Sequence, residues 1–331
     1  MSECCERSKL PRALDGLGVP PGIESLEVEH RKHCPACLGS RHDRVGQDAS
    51  PTTVRMEGKY YALAGYHIRQ CMDCGLYFKS TRMAASALER YYAGLDSGVF
   101  DLDLDFPTDR EARKLLAALP ATGRVLDFGC STGRMLHGET ARLECLGIEP
   151  NLIAAASARR RGIQVLTEQE ADASLTGTCD MVLLADVFEH LPAPTALVGR
   201  LSAMLKSGGD LVIITGNADA ITSRNWIGEH WYFRLEGHLQ MMSELHAAWL
   251  AARSGLEIVS LKCCSHYRTS IAQRLKQHTQ SFTYHQFKRS QDGAFSTLLR
   301  HMPILRRAES WPNAPTLSCA ADHFVLVLRK S

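Results

Sequence analysis

Apolar and polar positions fall into two textures along the chain. From Gly123 onward, short apolar runs alternate with segments whose apolar residues recur at helical spacing. Arg124–Phe128, Cys145–Ile148, Ile163–Leu166, Met181–Ala185, Asp210–Thr215, Leu256–Lys262 and His323–Leu328 read as seven strands. Leu152–Arg161, Pro194–Leu205 and Glu244–Ser254 read as helices, with Gly208-Gly209 as a turn after the second. Strands separated by helices predict an α/β fold, a doubly wound sheet with helices on both faces. Ligands of such sheets bind beyond the carboxyl ends of the strands.

Before Gly123 the pattern is shorter in wavelength. Lys59 to Ile68 is strand-like, and a helical stretch follows with Leu88, Tyr91 and Tyr92 on one apolar face. Thr108–Leu119 predicts an amphipathic helix, with Thr108 as its cap and Glu111 three residues on, a capping-box pattern. Residues 1–30 carry Pro11, Pro20-Pro21 and three glycines without periodicity, and predict a mobile leader. The organisation expected is a leader over 1–30, a cysteine module over 31–82, a helical connector or lid over 83–116, and a catalytic domain over 117–331.

Candidate chemistry lies first in Val125-Leu126-Asp127-Phe128-Gly129-Cys130-Ser131-Thr132-Gly133. A strand runs into a small-residue loop and, by expectation, a helix. Gly129 and Gly133 allow a tight turn and a close ligand. A glycine loop alone could serve NAD, a nucleotide or nothing. An acid ahead of the first glycine repels a pyrophosphate but suits a cationic amino group. Glu149 ends the next strand, where a carboxylate can accept both hydroxyls of a ribose.

These residues, with Asp180 to Leu191, resemble the class I S-adenosylmethionine-dependent methyltransferases over roughly Leu115 to Leu328. The resemblance implies a Rossmann-like seven-stranded sheet with the last strand antiparallel. It implies that Asp127, Gly129, Cys130, Ser131 and Gly133 surround the methionine part of the cofactor. Glu149 and Pro150 would hold the ribose, and Asp172 with Ala173 would border the adenine. Asp186 and Val187 would form the floor near the sulfonium.

Cys34-Pro-Ala-Cys37 and Cys71-Met-Asp-Cys74 are paired knuckles that can complete a closed tetrahedral Cys₄ site for structural Zn²⁺. A four-cysteine module ahead of this domain resembles the sugar C-methyltransferase-like subgroup. Its resemblance implies that the module helps form the substrate cleft and that Tyr91 or Tyr92 closes over the cofactor. His238 and His190 are the base candidates, with His230 a further one. Gly237 stands before His238 where the subgroup has a glutamate, and Glu236 is the nearest carboxylate in sequence. Trp226, Trp231, Tyr232 and Phe233 form the most aromatic stretch, a candidate acceptor wall or lid.

Composition narrows the partners. A hydrophobic fraction of 45% is ordinary for a globular chain, and a net charge of +2 implies no bulk polyelectrolyte partner. Twelve cysteines in paired spacing favour metal over disulfides. No stretch reaches the roughly 18 apolar residues of a membrane span, and the first residues lack a signal-peptide core, so a cytoplasmic location is expected. The insert at about 266–310 is basic, with eight Lys or Arg against one Asp between His266 and Arg307. It suits a phosphate-bearing acceptor or peripheral contact with an anionic membrane.

The expectation is methyl transfer to a small molecule: a nucleotide-linked sugar, a glycan precursor or a secondary metabolite. The alternatives are an RNA or protein methyltransferase using the zinc module for recognition, and a non-catalytic cofactor-binding scaffold. Residues 31–82 lack the aromatic and basic stripe of a nucleic-acid surface. The acceptor's identity, the atom methylated and the oligomeric state are open at this point.

Overall fold

The first described residues form narrow strands because their apolar side chains alternate with exposed ones. The computed structural model describes residues 23–49, 51–95, 106–220, 227–228, 230–289 and 321–331, with 301, 308, 311 and 315. Eight strands come first: β1 (Ile23–Ser25), β2 (Val28–His30), β3 (His42–Ala49), β4 (Thr52–Met56), β5 (Lys59–Leu63), β6 (Tyr66–Cys71), β7 (Tyr77–Lys79) and β8 (Thr81–Met83). In β4 and β5, Val54, Met56, Tyr61 and Leu63 are buried on one face. Helix α1 (Ala85–Ala93) buries Ala87 and Leu88, and α2 (Pro107–Ala118) buries Ala112 and Leu116.

The α/β half follows. Its elements are β9 (Arg124–Phe128), β10 (Glu144–Ile148), α3 (Leu152–Arg160), β11 (Gln164–Leu166), α4 (Glu168–Ser174), β12 (Cys179–Ala185), α5 (Pro194–Met204), β13 (Leu205–Gly216), α6 (Trp231–Arg234), β14 (Gln240–Met241), α7 (Glu244–Ser254), β15 (Leu256–Cys264), α8 (Ile271–Arg289) and β16 (His323–Lys330). Seven strands form one sheet in the order β11-β10-β9-β12-β13-β16-β15. The five from β11 to β13 are mutually parallel, and β16 runs antiparallel to both β13 and β15. This is the Rossmann-like sheet expected. Its topological switch lies between β9 and β12, where Phe128-Gly129 and Ala185-Asp186 leave the sheet side by side.

Alternation along the strands builds two cores. Leu126, Val182, Leu184, Leu211, Ile213 and Leu326 pack on one face with α5 and α7. Val125, Met181, Leu183, Val212 and Val325 pack on the other with α2. The first core also contains Cys34, Cys71 and Cys74, so the cysteine knuckles are continuous with the seven-stranded sheet. The four-stranded sheet β14-β7-β6-β3 makes the same join, because β14 comes from the α/β half.

Several expectations are corrected. The leader ends earlier than residue 30: β1 lies parallel to β5 and β2 antiparallel to β8, while residues 1–22 lie outside the described residues. Thr108 is not a cap. Pro107 opens α2, Phe106 precedes it, and Thr108 is fully buried within the first turn. Glu111 pairs with Lys114 and Lys262 instead. Gly208-Gly209 lies within β13, whose ladder jumps from Leu205 to Asp210 while β12 advances from Cys179 to Met181, so the glycines bulge from the sheet. The helix expected after Gly133 is a run of turns over 131–142. Left-handed φ values at Ser131 (48°) and Gly133 (86°) interrupt the helical path. Arg134 paired to buried Asp109, and Arg142 donating at 2.7 Å to the carbonyls of Leu116 and Leu119, tie these turns to α2.

Ser243 shows how closely the halves are joined. Its Oγ caps α7, accepting from the His246 N–H at 3.0 Å, and donates to the Gly75 carbonyl at 2.8 Å. Ser243→Ala is expected to cost about 1–2 kcal/mol in urea unfolding, the range for a lost cap.

Candidate active site

Side chains converge where β9, β10 and β12 end. Gly129 has φ 80°, and a Cβ there would lie 2.6 Å from Val187 Cγ2, so glycine lets the loop cross the end of β12. Gly133 has φ 86°, and its Cβ would meet Ile163 Cδ1 at 2.4 Å, so this glycine serves packing of the loop against α3. Cys130 is buried, with Sγ against Gly147. Asp127 is buried, and its Oδ1 has no hydrogen-bond partner. Burial, with the charge of Glu149, pushes its carboxyl up to about 7.

Glu149 bridges two backbone donors, the N–H of Ser131 at 2.9 Å and that of Asn151 at 2.7 Å. Burial raises its pKa against the lowering effect of those bonds. Each carboxylate oxygen keeps a lone pair, so the group can accept a diol while remaining fixed. Pro150 then leads to Asn151, whose side chain caps α3. Ser131 and Asp186 hold φ values of 48° and 55° on facing loops. Non-glycine residues in this region store on the order of 1–3 kcal/mol each, a cost common at functional sites.

Asp172 and Ala173, expected at the adenine edge, come from the helix that follows β11. Both lie within α4, where the Asp172 carboxylate accepts from Arg200 at 3.1 Å, and Arg200 also binds Glu168. That ion pair gives Asp172 a partner on α5.

Beyond Asp186 lies a chamber walled by histidine and aromatic rings. A single 3₁₀ turn, Phe188–His190, carries two of its polar groups. Glu189 is 1% exposed and accepts from Thr215 Oγ1 at 2.9 Å. His190 Nδ1 lies 2.7 Å from the Tyr92 hydroxyl and 3.1 Å from the Gly237 carbonyl. His238 is buried, packs edge-on against His190 (4.7 Å) and Tyr232 (4.2 Å), and leaves Nδ1 unpartnered. One polar atom each of Glu189, His190 and His238 lies within 4.8 Å of the others. Glu189 is thus the carboxylate that the fold brings into the neighbourhood of His238. Gly237 is required for another reason, since a Cβ there would lie 2.6 Å from the Tyr92 hydroxyl. Tyr92 is the residue of α1 that reaches the chamber.

Sequence reasoning missed Asp322, His323 and His266. Asp186, His266 and His323 form a second group with polar atoms within 4.8 Å of one another. Tyr232 and Trp231 pack against His323, whereas Trp226 lies outside the described residues. The signal available was an acid and a histidine directly before the last apolar run, Ala321-Asp322-His323-Phe324.

The four cysteines meet as their spacing implies. Their sulfurs all lie within 4.8 Å, with Cys34 and Cys74 at 3.5 Å and Cys37 and Cys71 at 3.4 Å. Zn–S bonds of about 2.3 Å in a tetrahedron give S···S edges of about 3.8 Å, so the set fits a zinc ion with slight expansion. The Gly39 N–H already points at Cys37 Sγ, at 3.4 Å. Four thiolates this close would repel one another, and a cation at their centre would offset that repulsion.

Residues 107–261 match the family model described as a methyltransferase domain. The ubiquinone biosynthesis O-methyltransferase of Xanthomonas axonopodis pv. citri is 33% identical over 108 residues, 30% of this chain and 45% of that protein. The enzyme of the same description from Escherichia coli O127:H6 is 31% identical over 113 residues, 31% of this chain and 46% of that one. The chain thus spans under half the length of the curated relatives it matches. A SAM-dependent methyltransferase from Archaeoglobus fulgidus aligns over 73% of this chain and 97% of that one, at 13% identity and a TM-score of 0.45. Residues 107–261 are thus similar to a methyltransferase domain, and the seven-stranded sheet has the Rossmann-like order of that fold.

Asp127 links the site to stability. Its folded pKa lies above the unfolded value of 3.8, so the folded state holds more protons between pH 4 and 7. Its contribution is complete below that window and lost as pH rises through about 7. Ligand-free protein is expected to lose up to about 1.4 kcal/mol of stability per pH unit there from this group. Asp127→Asn removes this slope, as chemical denaturation at pH 5, 6 and 7 will show.

Proposed function

We propose that this chain transfers a methyl group from S-adenosylmethionine to a hydroxyl-bearing small molecule, with nucleotide-linked sugars, glycan precursors and secondary metabolites as the acceptor class. The observation that carries the reading is the buried Asp127, whose Oδ1 has no hydrogen-bond partner, beside Glu149 at the switch point of a Rossmann-like sheet. Asp127, Gly129, Cys130, Ser131 and Gly133 cradle the methionine portion, Glu149 and Pro150 face the ribose, and Asp186 with Val187 floors the sulfonium. The bound donor supplies an electrophilic methyl group. Asp127, Glu149, Asp186 and Glu189 give the pocket the negative potential that a cationic donor requires.

His190 and His238 hold the acceptor against this floor. The flat rings of the chamber suit a cyclic acceptor. A cavity of about 550 Å³ opens beside it, lined by Tyr267, Arg268, Thr269, Ser270 and Arg274. Two guanidinium groups and two hydroxyls suit phosphate oxygens, which supports a nucleotide-linked acceptor over an uncharged one. Tritium transfer from methyl-labelled S-adenosylmethionine to a panel of nucleoside-diphosphate sugars tests this directly. Labelling of a member of the panel, with KM raised at least tenfold in Arg268→Ala and kcat retained, is expected. Labelling confined to phosphate-free acceptors contradicts the nucleotide-linked class.

Cys34, Cys37, Cys71 and Cys74 hold a structural zinc ion. The site is closed, so zinc here organises the fold and leaves the chemistry to other residues. Removal by chelation is expected to lower the thermal midpoint by roughly 10 °C or more, equivalent to a few kcal/mol. It is also expected to weaken donor binding, because the knuckles share a core with Phe188. Scanning calorimetry of zinc-loaded and chelated protein measures the shift.

A further inference from the structure

Resting on the reading of the chain as a methyl-transfer enzyme, we propose that Asp322 and His323 form the base dyad of the acceptor chamber. In this dyad His323 takes the proton of the acceptor hydroxyl, and Asp322 is the positioning residue that fixes its ring.

The geometry is that of an oriented base. Both residues are 2% exposed. Asp322 Oδ1 lies 3.1 Å from His323 Nδ1 and accepts the His266 backbone N–H at 2.8 Å. Two donors on one oxygen hold the carboxylate in place. The bond at Nδ1 selects the tautomer in which Nε2 carries the lone pair. Stacking on His266, with centroids at 4.3 Å and planes 21° apart, and edge contact with Tyr232 at 5.6 Å, hold the ring's orientation. His323 opens β16 opposite Gly216, at the carboxyl end of β13, the edge of the sheet where ligands bind. From there a polar atom of the ring lies within 4.8 Å of the carboxylate of Asp186, the residue assigned to the sulfonium floor.

Other histidines of the chamber are weaker bases. His238 Nδ1 has no hydrogen-bond partner among the described residues. Burial, His190 and Lys79 hold its protonation well below the ordinary range. Burial brings His230 and His266 each to about 4. Burial also pushes His323 down, but the Asp322 bond and charge, with Asp186 and Glu189, outweigh it and leave its pKa raised. The titratable groups facing this ring are thus Asp322, Asp186 and Glu189, with His230, His238 and His266 on the basic side.

The step balances. The acceptor O–H bond breaks and its proton passes to His323 Nε2. The oxygen's electron pair forms the new O–CH₃ bond as the S–CH₃ bond breaks, with its pair remaining on sulfur. The sulfonium becomes a neutral thioether, and its positive charge reappears on an imidazolium neutralised by Asp322.

Nitrogen-15 histidine NMR of the full zinc-loaded chain, with the His323 signal assigned by its loss in His323→Asn, reads the dyad without turnover. The expected result is an Nδ1–H tautomer that titrates above about 6.5 and falls by a unit or more in Asp322→Asn. Calorimetric affinity for S-adenosylhomocysteine is expected to stay within about twofold in both variants, since neither residue holds the donor. On a nucleoside-diphosphate sugar that wild type methylates, His323→Asn is expected to lower kcat by about 10²–10⁴-fold, with partial recovery at high pH. Asp322→Asn is expected to move the acid limb of the pH profile downward. An Nε2–H tautomer, a titration indifferent to Asp322→Asn, or wild-type kcat in His323→Asn overturns the dyad. Failure of wild type to bind the donor contradicts the proposed function instead, and the NMR titration still decides the dyad.

Discussion

The site depends on one short strap, the chain from Gly237 to Met242, which is bonded from both halves of the molecule. The Lys79 N–H donates to the Leu239 carbonyl at 2.9 Å, and the Leu239 N–H donates to the Glu189 carbonyl at 2.7 Å. Gln240 Nε2 reaches the carbonyls of Phe188 and Leu191 at 2.8 and 3.1 Å. β14 extends the cysteine module's sheet, while the Met242 N–H bonds the Gly216 carbonyl at the end of β13. A buried amide left without its partner costs on the order of 1–3 kcal/mol, so these bonds stand or fall together. His238 and Gly237 sit at one end of the strap, and Glu189 and His190 on the turn it grips. A four-cysteine cluster on the far side of the same core therefore bears on the chamber's geometry without touching it.

Charge is the second constraint. Asp127 feels the charge of Glu149, and Glu189 that of Asp186. Burial raises the carboxyls of Asp127, Glu149 and Glu189. Such an arrangement opposes folding and favours a cation, and the left-handed backbone at Ser131 and Asp186 adds strain in the same place. The hydrophobic sheet beneath, with Val182, Leu184, Leu211 and Ile213 almost wholly buried, supplies the rigidity that holds it.

Much of this was legible in the sequence because parallel strands are buried on both faces and announce themselves as apolar runs. β9 and α7 have the bounds that the pattern implies, and Asp127, Gly129 and Glu149 meet as their order suggests. Where the reading went astray, tertiary contacts overrode local pattern. Thr108 looked like a cap until Pro107 took the helix start. Residues 131–142 looked helical, but the crossing of Gly129 over Val187 and of Gly133 over Ile163 sets a path of turns. The Asp322-His323 pair before the last apolar run was a signal without a destination, since only the pairing of β16 with β13 brings His323 to Asp186.

The account turns on Asp127 and Glu149 forming the donor site. Titration calorimetry of S-adenosylmethionine binding between pH 5.5 and 7 tests it most directly. If the raised carboxyl of Asp127 must ionise to receive the donor's ammonium group, affinity climbs with pH across that interval. Asp127→Asn then binds more weakly with no such climb, and Glu149→Ala loses binding. A pH-independent affinity shared by wild type and both variants would contradict the account.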